Sequence, residues 1–148
     1  MKALLRYKGK FINFGLFVLR LGIGFMFIMH GLPKIQAGSE TWAEIGSAVM
    51  EFGIDKYHTV FGLLAALTEV GGGFLLLAGL LFKPACIALL TVMIVAANLH
   101  LSHNEGLLGA SHAIELGIVL LSLLITGPGK YSIDNSLFSE SNDENYDN

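Results

Sequence analysis

The sequence predicts an all-α membrane protein, a four-transmembrane-helix bundle with a short amphipathic helix in its first outer loop. Hydrophobic residues make up 53% of the 148 positions and charged residues only 14%, a balance outside the usual soluble range. The apolar residues also fall into four long stretches, each able to cross about 30 Å of hydrocarbon. The charges are segregated, basic at the start of the chain and acidic at its end.

The four predicted spans cover about residues 11–29, 58–82, 84–99 and 107–126, within one membrane domain of residues 1–134. Pro33 is expected to end the first span, because proline disfavours helix at the residue before it. Lys83 and Pro84 form a very short turn, so the second and third spans should be antiparallel neighbours. Residues 135–148 are acidic and rich in serine and asparagine, a composition typical of a disordered tail.

The distribution of basic residues predicts the orientation of the bundle. Four spans bring both termini to the same side, and most of the lysines and arginines lie on that side: Lys2, Arg6, Lys8, Lys10, Lys83 and Lys130. Lys34 and Lys56 fall on the other side. Since positive loops stay in the cytoplasm, we expect both termini to be cytoplasmic.

The polar segment between the first two spans has the pattern of a helix on the outer membrane surface. Thr41 and Glu44 have capping-box spacing, and apolar residues then recur at helical intervals as far as Gly53. Trp42 and Tyr57 fit the aromatic belt at the membrane interface. The sequence therefore predicts a short amphipathic helix here.

Several kinds of function are disfavoured by composition. No basic stripe points to nucleic acid as a partner. The single cysteine, Cys86, excludes an internal disulfide, a CxxC redox pair and a thiolate iron–sulfur cluster held by this chain alone. The histidines lack the fixed spacing of a zinc motif, so no metal site is predicted.

Three charged residues in the predicted spans are the strongest candidates for chemistry. Arg20, Glu69 and Glu115 each lie near the middle of a span, where an unpaired charge is costly. We expect them to pair in the bundle interior and, as two carboxylates for one guanidinium, to leave a surplus charge for a proton or a ligand. We assign them as the catalytic candidates. A purely structural clamp that fixes helix order is the alternative.

A second group of polar residues is expected near the outer half of the bundle. With alternating helix directions, most of the histidines collect above the charged layer, close to a lysine and an asparagine. The predicted ligand-binding residues are His30, Lys34, Asn98, His100 and His112. Their alternative interpretation is ordinary hydrogen bonding at helix ends.

Three stretches make the chain resemble the DoxX family of bacterial four-span membrane proteins over about residues 14–134. They are VLRLGIGFMFIMHGLPK from Val18, TEVGGGFLLLAGLLFKPA from Thr68 and HAIELGIVLLSLLITGPGKYSID from His112. The resemblance implies a bacterial inner-membrane location. It also points to a set of residues in the family pattern: Arg20, His30, Gly31, Lys34, Glu69, His100 and Glu115.

The resemblance implies a redox context without fixing an activity. Some family members are subunits of a thiosulfate:quinone oxidoreductase, and others resemble membrane anchors of an oxidative-stress complex with superoxide dismutase and a sulfurtransferase. The first hypothesis is therefore an inner-membrane subunit, catalytic or accessory, whose polar interior binds quinone or a small sulfur-containing anion. Its partners would be the lipid bilayer, proteins of a membrane oxidoreductase complex and further copies of itself. The alternatives are a non-catalytic scaffold for soluble proteins and a small proton-coupled transporter.

Overall fold

In the computed structural model, which describes residues 11–137, the chain forms helices and no strand within that range. The helices are α1 (Ile12–Ala37), α2 (Ser39–Gly46), a 3-10 helix (Ser47–Phe52), α3 (His58–Ala78), α4 (Phe82–Ser102) and α5 (Gly106–Thr126). Helices α1, α3, α4 and α5 are long and apolar enough to cross a membrane, so the predicted four-span bundle is confirmed. The basic flank at residues 1–10 and the tail from residue 138 onward lie outside the described residues.

The spanning helices alternate in direction and so define two ends of the bundle. We call proximal the end at which α1 and α4 begin and α3 and α5 end, and distal the opposite end. Both ends of the described chain are therefore proximal. Helix α2 and the 3-10 helix follow α1 at the distal end.

Helix α1 does not stop before Pro33, as the sequence analysis expected, but continues to Ala37. Proline removes only one backbone hydrogen bond, to the carbonyl of Met29. In a membrane the helix is favoured despite that loss, because unpaired backbone groups are costly in lipid. The continuation matters for the site, since it places Lys34 on the last turns of α1.

Helix α2 packs directly on the distal part of α3. A Cβ at Gly62 would overlap the backbone carbonyl of Trp42, and a Cβ at Gly46 would overlap the backbone carbonyl of His58. The expected capping box is not formed, because α2 begins at Ser39 without a side-chain cap. The amphipathic segment is thus present, but glycines hold it against the bundle.

Helices α1 and α3 pack closely because small residues face each other. A Cβ at Gly24 would lie 2.7 Å from the backbone oxygen of Gly73, and a Cβ at Gly31 would lie 2.9 Å from Cβ of Glu69. Such contacts let two spanning helices approach within backbone distance. This contact brings Glu69 next to α1.

The apolar core lies among all four spanning helices, since Leu76 of α3 packs with residues of α1, α4 and α5. Phe27, Leu89, Leu120 and Leu123 are each at most 1% exposed, and Met93 packs with them. Helices α3 and α4 approach each other less closely than α1 and α3 do. The space left between α3 and α4 forms part of the candidate site.

Candidate functional site

A partly buried ion pair joins the last turns of α1 to the middle of α3. Nζ of Lys34 donates to both carboxylate oxygens of Glu69, at 2.6 and 2.7 Å. The Glu69 side chain is 3% exposed, whereas that of Lys34 is 33% exposed. The acid is therefore enclosed, and the amine sits where a ligand can meet it.

The direction of Lys34 is unusual for a lysine near the end of a spanning helix. Such side chains normally extend outward to the membrane interface. Here Glu69, which lies beside Gly31, draws the amine about one helical turn inward, along the direction in which helical side chains lean. The indole Nε1 of Trp42 donates to the backbone oxygen of Lys34 at 2.8 Å and ties α2 to the same turn.

A small cavity whose wall combines ionisable and apolar side chains borders this ion pair. Its volume is about 140 Å³, and Lys34 and Glu69 share its wall with three histidines, His30, His100 and His112. The rings of His30 and His112 lie 5.1 Å apart between centroids. We call this space the distal cavity. It gathers four of the five residues predicted to bind ligand, together with one predicted catalytic residue.

A larger apolar groove adjoins the distal cavity. It has a volume of about 510 Å³ and lies between α3, α4 and the segment formed by α2 and the 3-10 helix. Four residues line both spaces: Lys34, Glu69, Ala96 and His100. The two spaces together join a cluster of ionisable side chains to an apolar groove, so the combined space has the form of a site for an amphipathic molecule.

His100 is oriented by an acid that the sequence analysis did not select. Its Nδ1 lies 2.7 Å from Oε2 of Glu105, in the turn between α4 and α5. Asn98, in contrast, lines neither space, because it is on another side of α4. The structure therefore does not bring Asn98 to the predicted site.

The sequence profile of the DoxX family matches residues 15–102, which include Arg20, the Lys34–Glu69 pair and His100. The chain belongs to the DoxX family. No functionally curated protein and no solved structure significantly matches the chain. The family likeness expected from the sequence is thus confirmed, and the DoxX chain is a multi-pass membrane protein.

Arg20 does not pair with either glutamate in this DoxX chain, contrary to the expectation. It lies roughly 16 Å along α1 from Gly31 and hence from Glu69, at the proximal end. Its Nη2 donates to the backbone oxygen of Tyr131 at 2.5 Å, and its guanidinium group lies over the ring of Phe17. Arg20 is 0% exposed. Arg20 and Glu69 were each expected near the middle of a span and hence at the same depth. Their depths differ because α1 extends farther in the distal direction than expected.

The segment after α5 covers this buried arginine. Ser132 is 5% exposed, and the carboxylate of Asp134 accepts the backbone N–H groups of Leu81 and Phe82 at 3.0 and 2.9 Å. This caps the start of α4 with a negative charge. We call residues 127–136 the proximal cap. Within residues 11–137, Nε and Nη1 of Arg20 have no hydrogen-bond partner.

Glu115 also departs from the expected charged cluster. It is exposed on α5, on the side opposite the buried residues Ala110, Ala113 and Leu120. Glu115 was predicted to point into the bundle, but Ala110, Ala113 and Leu120 pack there instead. Glu115 therefore does not join Arg20 or Glu69 in one interior site.

Three residues of the DoxX site were missed from the sequence. Glu105 orients His100, Trp42 holds the Lys34 turn, and Asp134 caps α4 above Arg20. Glu105 carried a local signal, since it lies five residues after His100 in a short loop. Asp134 contacts Leu81 across 53 residues, and Trp42 lies eight residues after Lys34 on a separate helix, so neither had such a signal.

Proposed function

We propose that this DoxX protein is a quinone-binding subunit of a membrane redox system, with the distal cavity as the site of the quinone head group. The proposal rests on the wall that the distal cavity shares with the adjoining groove. The cavity is small and has the Lys34–Glu69 pair and three histidines in its wall, and the groove is larger and mainly apolar. A quinone has the same division, a carbonyl-bearing ring joined to an apolar tail.

The residues present fit such a ligand. A cavity of about 150 Å³ accommodates one benzene ring, which is close to the 140 Å³ of the distal cavity. Lys34 and the histidines supply hydrogen-bond donors for carbonyl oxygens, and the groove supplies apolar lining for a tail. When bound, a quinone supplies two-electron, two-proton carrier chemistry.

The chain's own groups would bind the head group and hold protons near it. Lys34 would donate from Nζ, while Glu69 holds the amine in position and keeps a carboxylate within the same hydrogen-bonded cluster. His30, His100 and His112 can each donate or accept a proton. In this proposal the redox centre that exchanges electrons with the quinone belongs to a partner protein of the oxidoreductase class.

The charge of the site favours a neutral carbonyl ligand over the small sulfur-containing anion also considered. Glu69 already neutralises Lys34 through two short contacts, and Arg20 lies at the other end of the bundle. Among residues 11–137, no lysine or arginine lining the site is therefore left unpaired to bind the anion. The apolar groove would also have no role in binding it.

The orientation enters the proposal as an expectation. With both termini in the cytoplasm of a bacterial inner membrane, as the basic residues predict, the distal cavity opens toward the outer half of the bilayer. Reporter fusions at each terminus and at Lys56 test this. An active periplasmic reporter at either terminus would overturn it.

Quinone binding can be measured with the protein's one tryptophan. Trp42 contacts the Lys34 turn, so a short-chain quinone in the cavity should quench its fluorescence. We expect saturable quenching in lipid nanodiscs, in excess of the linear quenching caused by quinone dissolved in lipid. Absence of a saturable component would overturn the proposal.

Two variants locate the binding. Ala96→Leu narrows the junction of the two spaces and should weaken quinone binding at least tenfold, whereas Ala37→Leu, at an exposed position of α1, should leave it unchanged. Equal affinity in both variants would mean that the quinone binds elsewhere. Thermal unfolding of each variant, compared with the parent protein, separates lost binding from lost structure.

A further inference from the structure

An isolated carboxylate lies on the outward face of α5. Glu115 is about 14 Å from the start of α5 and about 16 Å from its end, by helical rise, and so lies near mid-membrane. It is exposed and makes no hydrogen bond or ion pair with any residue between 11 and 137. A group of this kind in lipid calls for a partner.

The polar residues around Glu115 share its face. Ser111, Ser122 and Thr126 lie on the same side of α5, but their hydroxyls donate to carbonyls within the helix. They are therefore satisfied without a neighbour. Glu115 is the member of this face that an adjacent helix must satisfy.

We propose that this face of α5 is the interface with a second copy of the same chain. Copies inserted in one membrane with one topology are related by an axis along the membrane normal, so residues whose depths differ by no more than about one turn can meet across the interface. His112 lies one turn, about 4.5 Å, to the distal side of Glu115. Each His112 can then donate to Glu115 of the second copy, twice in a symmetric dimer.

This charge complementarity is contained in the chain itself, which favours a second copy over another protein. Leu108 and Ile125, which are 90% and 78% exposed, flank the polar residues and supply apolar contact on both sides. His112 also lines the distal cavity, so the interface borders that cavity. The inference does not depend on quinone binding.

Dimerisation is tested with the full chain in nanodiscs or liposomes at high dilution in lipid, by single-molecule photobleaching. We expect Glu115→Leu to weaken the dimer about tenfold or more, since interhelical hydrogen bonds are lost at two symmetric positions. Glu115→Gln should retain the dimer, because an amide still accepts and donates. Phe74→Leu, on an exposed position of α3, is the matched control.

Cross-linking supplies a second, independent measurement. Ser122→Cys should form a disulfide-linked dimer on oxidation, whereas Phe74→Cys should not, and the native Cys86 is buried. A monomer at all densities, or a dimer that Glu115→Leu leaves unchanged, would overturn the proposal. Cross-linking of the Ser122→Cys variant to a different protein would also overturn the proposal. Unfolding curves for each variant exclude misfolding as the cause.

Discussion

Lys34 on α1 holds Glu69 on α3 through both carboxylate oxygens, at 2.6 and 2.7 Å. The two residues are close because Gly31 brings α1 and α3 into contact beside them, and Gly24 does the same farther toward the proximal end. One interaction therefore fixes the helix pair and also places a charged group at the junction of the distal cavity and the apolar groove. The predictions below separate these effects.

Removal of the lysine charge should destabilise the protein. Lys34→Met leaves the carboxylate of Glu69 buried without its cation, which should cost about 3 kcal/mol of unfolding free energy. Lys56→Met, at an exposed loop position, should change the stability by less than about 0.5 kcal/mol. Denaturant unfolding in detergent micelles measures both.

Removal of both charges distinguishes the structural role of the pair from its role in binding. Lys34→Met combined with Glu69→Leu should recover most of the lost stability, because two apolar side chains can replace a buried ion pair. Quinone affinity should not recover in this double variant. Full binding by the stable double variant would show that the ion pair has no part in the site.

The close packing of α1 on α3 should tolerate no side chain at Gly31. In Gly31→Ala the added Cβ would lie 2.7 Å from Cγ2 of Val70, and such overpacking should cost about 1–3 kcal/mol. A Cβ added at Gly22 would have no neighbour within 4 Å. Gly22→Ala should therefore raise the stability slightly, by about 0.5 kcal/mol, because alanine has a higher helix propensity than glycine. In thermal unfolding, we expect Gly31→Ala to lower the midpoint temperature and Gly22→Ala to raise it. Equal shifts in the two variants would contradict the packing argument.

Arg20 should govern the proximal cap more than global stability. In Arg20→Met the charged hydrogen bond to Tyr131 is lost, a contribution of about 1.5–3 kcal/mol, but two buried nitrogens without hydrogen-bond partners, Nε and Nη1, are also removed. These effects offset, so global unfolding should change by less than about 1 kcal/mol. Hydrogen exchange at the Asp134 amide, which donates to the oxygen of Gly79, should accelerate about tenfold. Unchanged exchange would show that the cap is held without Arg20.

The contact between His100 and Glu105 should affect ligand binding without a large effect on folding. Glu105→Gln weakens a partly exposed charged contact, which contributes about 0.5–1 kcal/mol. We expect quinone affinity to fall about two- to fivefold, with unfolding unchanged within error. Glu44→Gln, an acid on α2 outside both spaces, is the matched control. A larger loss of stability than of affinity would assign Glu105 a structural role.

The helices were predictable because their signal is local. Lipid requires long apolar stretches, and the predicted starts of α3 at His58 and of α5 at about residue 107 agree with the structure within one residue. The end of α1 was not predictable in this way. Proline usually ends a helix in water. In a membrane the remaining backbone hydrogen bonds are enough for α1 to continue past Pro33 to Ala37.

The same distinction between local sequence signals and tertiary contacts applies to the site residues. Composition and helical length are enough to predict a four-span bundle with a polar distal end, because they decide burial in lipid. Which charges meet depends on how the helices pack: Lys34 with Glu69, Arg20 with the carbonyl of Tyr131, and Glu115 with none of the residues described. Partner choice depends on axial register and helix rotation, which the glycines at Gly24 and Gly31 set through contacts between α1 and α3 that no single stretch of sequence contains.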